Sequence, residues 1–260
     1  MSDQQAAHES KWAGRNTDKD ALRNEIWTML DEQAAAVGAP WGHIPNFVGA
    51  EEAAARLAEL PIWTAARIVK CNPDMAQAPV RRRALEAGKR LYMPVPALVQ
   101  AKPFVRLDPA DLAARGISFA DASIHTRAVE VGQHVDFEEM ERVDLVVTGC
   151  VAVTRRGGRT GKGAGFADLE LGIMRAYGIV TPETPIITTV HPLQIVEDDR
   201  VVMQPHDSAL HWIITPDEVI ETRSPYPQPD GVDWDAIQPD QYRDIPFLAD
   251  LRQKLAGGAS

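Results

Sequence analysis

Cross-linking chemistry is scarce in this sequence. Its 260 residues hold two cysteines, Cys71 and Cys150, far apart, each closing an apolar run, "ARIVKC" and "VDLVVTGC". Such a pair excludes a disulfide framework and reads as reduced, buried thiols of a cytosolic protein, with a catalytic cysteine as the alternative. Positive charge is also short. Lys and Arg number 27 against 37 Asp and Glu, a formal net charge of −10, which argues against a general nucleic-acid binder. The local run Arg81-Arg82-Arg83 reads as one solvated helix face rather than an RNA patch. No apolar stretch approaches the length of a membrane span. The polar start "MSDQQAAHESKWAGRNTDKD" has no apolar core of a secretory signal. The expectation is a cytoplasmic protein, monomer or homodimer, with a small-molecule substrate and neither nucleic acid nor membrane as partner.

What is present is the raw material of a sizeable core, since hydrophobic residues make up 45% of the chain. Residues 1–17 read as a disordered lead-in, and 18–260 as a single α/β domain without internal repeats. Leu22, Ile26, Trp27, Leu30 and Val37 recur near helical spacing, with Asp18 as a cap. "GAPWGHIPNF" is a structured loop in which His43 and Phe47 are placed where a lid could sit, and "AEEAAARLAEL" is a second helix. The strand "ARIVKC", the helix "APVRRRALEAG" ending at Gly88, and the strand "KRLYMPV" form a βαβ unit of a parallel sheet. "MERVDLVVTGCVAVT" is the most apolar strand region and therefore central. "FADLELGIMRAYGI" is a helix with Leu169, Ile173, Met174 and Tyr177 on one face. "TPIITTV", "LQIV", "RVVMQ" and "LHWIIT" read as short strands, "SPYPQPDGVDWDAIQPD" as a Pro-rich loop, and "IPFLADLRQKLAGG" as a closing amphipathic helix.

Chemistry concentrates in "GRTGKGAGFADLE", Gly158 to Glu170. A strand, a glycine-rich turn and a helix start form the common arrangement for holding phosphate. Glycines let backbone N–H groups face an anion, and the helix N-terminus adds partial positive charge. Arg159 and Lys162 add full charges. The alternative is a glycine-rich hairpin tip with incidental cations. Neither known loop signature fits. The Walker A pattern needs Gly where Arg156 stands and Ser or Thr where Gly163 stands, and the third glycine of GxGxxG falls one residue early, at Gly165. Carboxylates beside phosphate call for a cation, and Mg²⁺ takes one or two carboxylates plus phosphate oxygens. Asp168 is the candidate ligand, whereas Glu170 reads as a helix-start acid stabilised by the macrodipole. In "MQPHDSALHWIITP", Asp207 is expected either to shape a nucleotide or ion pocket or to make a structural turn. His206 and His211, five apart, would fall on opposite faces of a strand and do not make a metal pair.

The ordered set of segments resembles the 5-formyltetrahydrofolate cyclo-ligase family. Its glycine loop, G-basic-G-G-G-Tyr-Tyr-Asp-Arg, is similar to Gly161, Lys162, Gly163, Ala164, Gly165, Phe166, Ala167, Asp168, Leu169. Its early K-x-x-x-R is matched by Lys19 and Arg23, its strand before the loop by "VDLVVTGCVAVT", and its late "HD…T-P" by "QPHDSALHWIITP". The likeness runs from about Asp18 to about Ile220. It implies a three-layer α/β sandwich with a Rossmann-like, mostly parallel sheet and helices on both faces.

The implied reaction is the ATP- and Mg²⁺-dependent closure of 5-formyltetrahydrofolate to 5,10-methenyltetrahydrofolate. ATP would phosphorylate the formyl oxygen, N10 would attack, and phosphate would leave. Phosphoryl transfer is mostly positioning and charge neutralisation. By the resemblance, Lys162 and Asp168 are the catalytic pair, with Mg²⁺ on Asp168. Lys19, Arg23, Arg159, Gly161, Lys162, Gly163, Ala164, Gly165, Phe166 and Asp207 surround ATP. Asn72, Asp74, Pro94 and Phe166 form the substrate side. Departures fall on the substrate half. Ala167 replaces an aromatic, Leu169 replaces an arginine, and "KCNPDMAQ" stands where the family has "KGEVDT" and its folate-reading glutamate. The pattern resembles the divergent branch named methenyltetrahydrofolate synthetase domain-containing. Two alternatives therefore stay open: action on another pterin or a thiamin-related heterocycle, or nucleotide or folate binding without turnover.

Overall fold

The computed structural model describes residues 16–98 and 100–257. The expected disordered lead-in lies outside them except for its last residues, and those are ordered into the first helix. Asn16 caps that helix by accepting a hydrogen bond from the Lys19 amide at 2.9 Å. Asp18 is therefore not the cap. It sits in the first turn, two residues inside.

Among the described residues eleven strands follow the order of the chain: β1 Ile68–Cys71, β2 Arg90–Pro94, β3 Phe104–Leu107, β4 Gln133–Val135, β5 Leu145–Val147, β6 Ala152–Thr154, β7 Arg159–Thr160, β8 Ile186–Thr189, β9 Ile195–Val196, β10 Trp212–Ile214 and β11 Val219–Glu221. Among the described residues the five longest helices are α1 Thr17–Glu32, α2 Ala50–Ala58, α3 Ala78–Glu86, α4 Phe166–Ala176 and α5 Leu248–Gly257. Eight strands form the main sheet in the order β11-β10-β8-β5-β1-β2-β3-β4, and β7-β6-β9 form a small second sheet. From β10 to β2 neighbours run parallel, while β11, β3 and β4 are antiparallel additions at the edges. The βαβ unit read from "ARIVKC" to "KRLYMPV" is present as β1-α3-β2.

Side chains alternate across this sheet as the pleat requires. Val69, Cys71, Leu91, Met93, Leu145 and Val147 face one hydrophobic cluster, shared with α1, α2 and α3. Tyr92, Val146, Ile186 and Ile213 face a second, shared with α4 and α5. Helices thus cover both faces, giving an α/β sandwich. Both cysteines are buried and free, and burial raises both thiols, Cys71 to about 11, which disfavours the reactive thiolate. Among the described residues no helix is long and apolar enough to cross a membrane.

Several local expectations give way. The apolar run "MERVDLVVTGCVAVT" is two strands in two sheets. The chain leaves the main sheet after β5, and at Gly149 a Cβ would meet Asp74 Oδ2 at 2.9 Å and Gln77 Oε1 at 3.0 Å, so a side chain is crowded out there. "RVVMQ" is irregular, and "LQIV" keeps only two strand residues. α1 stops at Glu32, leaving Val37 half exposed. Phe47, imagined in a lid, is buried in the core and pairs with Ala36 through a β-bridge. Arg81 is buried rather than solvated, because its guanidinium holds three carbonyls in place: Ser123 O at 2.7 Å, Asp74 O at 3.0 Å, and Asn72 O.

Candidate functional site

From β1 the chain crosses through α3 to β2 on one side, while β5, β8 and β10 are added on the other. The order of the sheet therefore reverses between β1 and β5. In open α/β sheets, ligands enter the crevice outside the carboxyl ends of the strands at such a point. Here a cavity of about 640 Å³ opens there. Its floor is laid by the residues that follow the strands: Asn72, Pro73 and Asp74 after β1, Pro94 to Leu98 at and after β2, and Gly149 after β5.

The glycine loop forms the opposite wall. Gly163 and Gly165 have φ of 106° and 72°, the left-handed region that favours glycine, so the sequence permits this turn where other residues would strain it. Gly165 is the N-cap of α4 and brings no side-chain hydrogen bond. The N-terminus of a helix carries partial positive charge that favours an anionic ligand. Every residue predicted for the site lines this one cavity: Lys19, Arg23, Asn72, Asp74, Pro94, Arg159, the run Gly161 to Phe166, Asp168 and Asp207.

The geometry divides their work. Lys162 Nζ lies 3.4 Å from Asp74 Oδ1 across the cavity. Lys19 Nζ lies 2.6 Å from Asp207 Oδ2, which also accepts the Gln204 amide at 2.8 Å, so this acid shapes the turn and anchors a lysine. Arg23 and Arg159 do not offer their charge freely, as the sequence suggested. Arg23 is buried and donates to Gly161 O at 2.6 Å, to Thr160 Oγ1 at 3.2 Å and to Asp20. Burial holds its guanidinium below its usual range despite Asp20. It fastens the root of the loop. Arg159, also buried, pairs with Asp168 Oδ1 and donates to Ser208 O at 2.7 Å. Burial opposes its charge, but Asp168, followed by Cys150 and Asp207, outweighs it and raises its pKa. Asp168 Oδ1 also accepts the Ser208 amide at 2.8 Å. Its other oxygen, Oδ2, accepts no hydrogen bond among the described residues.

Glu170 is not a helix-end acid. It is buried, lines the cavity, and pairs with Lys70, which projects from the middle of β1 toward α4. Burial raises the Glu170 pKa, and Lys70 opposes the rise. Lys70 also donates to Asn72 Oδ1 at 2.5 Å, which fixes the first residue of the floor. A lysine in a four-residue apolar strand was the available signal for this pair. His206 lies at the cavity edge, 3.7 Å from Asp233 Oδ2. His211 Nδ1 accepts the Ile186 amide at 3.0 Å, a structural bond. Among the described residues no group of three or more His, Cys, Asp or Glu side chains could hold a metal by itself.

A model of the 5-formyltetrahydrofolate cyclo-ligase family matches residues 15–216. The chain belongs to that family. Among similar proteins is a methenyltetrahydrofolate synthase domain-containing protein of Mus musculus, 36% identical over 241 residues, which are 91% of this chain and 63% of that protein. The chain thus spans less than two thirds of that relative. A 5-formyltetrahydrofolate cyclo-ligase of Escherichia coli strain K12 is 25% identical over 178 residues, 66% of this chain and 90% of that protein. The NMR structure of Aquifex aeolicus 5,10-methenyltetrahydrofolate synthetase superimposes with a TM-score of 0.51 at 18% identity, covering 79% of this chain and 93% of the other, which supports the common fold. For this cyclo-ligase family member, residues beyond 216 lie outside the region that the family model matches, yet they supply part of the cavity wall: Gly231 to Asp233, Ala236 to Gln238, and Gln241. On the sequence, 231–238 read as part of a Pro-rich loop and Gln241 falls just past its end, so none of them is marked as a wall.

Proposed function

We propose that the chain is a ligase that uses MgATP to close 5-formyltetrahydrofolate to 5,10-methenyltetrahydrofolate. One observation carries the reading. A ring-sized cavity at the switch point of the sheet is walled on one side by a cation-bearing glycine loop that leads into a helix start whose N-cap residue is a glycine, Gly165. The family membership supplies the reaction class.

The formyl oxygen of the folate would attack the terminal phosphorus of ATP, with ADP departing. N10 would then attack the activated carbon and release its proton to water, and phosphate would leave as the ring closes to the methenyl cation. Little covalent work falls to the protein in such transfers; it positions and neutralises. Lys162 is placed to meet phosphate, exchanging its 3.4 Å pairing with Asp74 for a more highly charged partner. Arg23 keeps Gly161 in place, so the loop is fixed before the nucleotide arrives. Arg159 and the Ser208 amide hold Asp168 through Oδ1, leaving Oδ2 to meet a cation. The residues present fit Mg²⁺ on these terms, because that ion needs one or two carboxylates when phosphate oxygens and water complete its shell. Bound there, Mg²⁺ would offset charge developing between the transferring and leaving oxygens.

A second reading keeps the nucleotide half and changes the acceptor to another pterin or related heterocycle. Ala167 and the Asn72-Pro73-Asp74 floor favour it, since both depart from the family pattern on the substrate side.

The test is spectrophotometric. Protein, 5-formyltetrahydrofolate and MgATP are mixed, and the methenyl product is followed by its near-ultraviolet absorbance. Product that requires ATP and is lost in Lys162→Ala supports the ligase. Absence of product from protein whose ATP affinity, by calorimetry, depends on Lys162 moves the reading to another acceptor. ATP affinity unchanged in Lys162→Ala removes that lysine from the site.

A further inference from the structure

The chain beyond residue 216 is not a tail. Arg175 of α4 donates to Gln228 Oε1 at 2.9 Å, and Gln228 Nε2 donates to Ala209 O at 2.9 Å. The backbone then crosses α4 so closely that a Cβ at Gly172 would lie 2.7 Å from Gly231 O. Val232 and Ile237 pack against the second core cluster and also line the cavity. A short helix, Pro239–Asp244, ends the crossing and is started by a capping box in which Gln241 Oε1 accepts the Gln238 amide at 2.9 Å. The other end of the same side chain, Gln241 Nε2, donates to Ala164 O at 3.1 Å, inside the glycine loop. Gln241 is buried.

This segment lies outside the region matched by the family model, but the alignment with the mouse relative is too long to stop at residue 216 and so reaches into it. We infer that Gly231–Gln241 is a specificity wall added to the family's site: Gln241 is a positioning residue that sets the glycine loop, and Val232 and Ile237 present an apolar surface to the flat face of the substrate's ring. The inference deepens the function proposed above and rests on it for the identity of the ligands.

Gln241→Glu separates the two ends of the side chain. The carboxylate still accepts the Gln238 amide, so the capping box is kept, while the donor to Ala164 is lost. Hydrogen exchange is measured without any ligand, alongside Tm. Amides of residues 161–167 should exchange several-fold faster in the variant while those of the main sheet are unchanged. Loop exchange equal to the parent overturns the positioning role whatever the protein binds. With MgATP and 5-formyltetrahydrofolate as probes, Gln241→Glu should raise the KM for ATP about two- to tenfold, the worth of one neutral hydrogen bond. Ile237→Ser should raise the KM for 5-formyltetrahydrofolate and leave that for ATP unchanged. Equal effects of Ile237→Ser on both constants, or none on either, would overturn the wall. Faster loop exchange in Gln241→Glu, with no folate turnover in the parent protein, would sink the ligase reading and leave the positioning role standing.

Discussion

At the residue scale, the most demanding feature is the Lys70–Glu170 pair. Both side chains are almost wholly buried, Lys70 at 0% exposure. Removing charge from water costs more than pairing returns unless further hydrogen bonds complete the arrangement. The bond from Lys70 to Asn72 is such an addition, and it ties the pair to the cavity floor. Lys70→Met keeps the volume and strands the carboxylate, so urea unfolding should show a loss of about 3–5 kcal/mol. Adding Glu170→Gln to it should restore much of that. A loss below about 1 kcal/mol in Lys70→Met would show that the carboxylate is solvated through the cavity. Sequence reading could name Asp168 and Lys162, because their residue types sit inside a recognisable loop. It misassigned Glu170, two positions further, because the acid's partner comes from a strand 100 residues earlier.

Elements place these residues, and the tightest constraint between them is glycine. Within α4, Gly172 is a poor helix former that alanine would improve by about 1 kcal/mol in isolation. Here its missing Cβ makes room for the Gly231 carbonyl. Gly172→Ala should therefore destabilise the protein, by about 1–3 kcal/mol, since backbone rather than a flexible side chain must move. Thermal unfolding decides the matter: a higher Tm would mean that the crossing segment gives way freely. The same comparison shows why α4 was legible and its neighbour was not. Leu169, Ile173 and Met174 repeat at helical spacing and are buried as a stripe. The crossing segment has no period to read, and its few hydrophobic residues acquire meaning only from what they touch.

Across the whole molecule, burial acts on three histidines in the same direction. His125, His191 and His211 are each held below the ordinary 6.5, burial being the largest cause in every case. For His211 the cationic Arg175 adds to burial, and Nδ1 must stay unprotonated to accept the Ile186 amide. A depressed folded-state pKa contributes stability that is present above the unfolded value, near 6.5, and is lost as pH falls through the folded value. Acidification also reduces the protein's net charge of −10, which works the other way. The difference in Tm between the parent and His211→Asn isolates the histidine: it should be largest above pH 7 and shrink toward pH 5. A difference independent of pH would assign the side chain a packing role only.

Much of this protein was decided by sequence alone. Period-2 and period-3.6 patterns, with the β1-α3-β2 order, determine a parallel α/β sheet, because an alternating or striped apolar face can be buried in few ways. The glycines at 163 and 165 determine where the chain can turn with positive φ, and Lys162 and Asp168 mark that turn as chemical. Tertiary structure decided the rest. Strand order, which opens the cavity between β1 and β5, depends on pairings between residues far apart in the chain. So do the neutralisation of Arg159 by Asp168, the burial of Arg81 beneath the cavity floor, and the hold of Gln241 on the glycine loop. In each case the local residues are compatible with several partners, and only the packing of distant elements selects one.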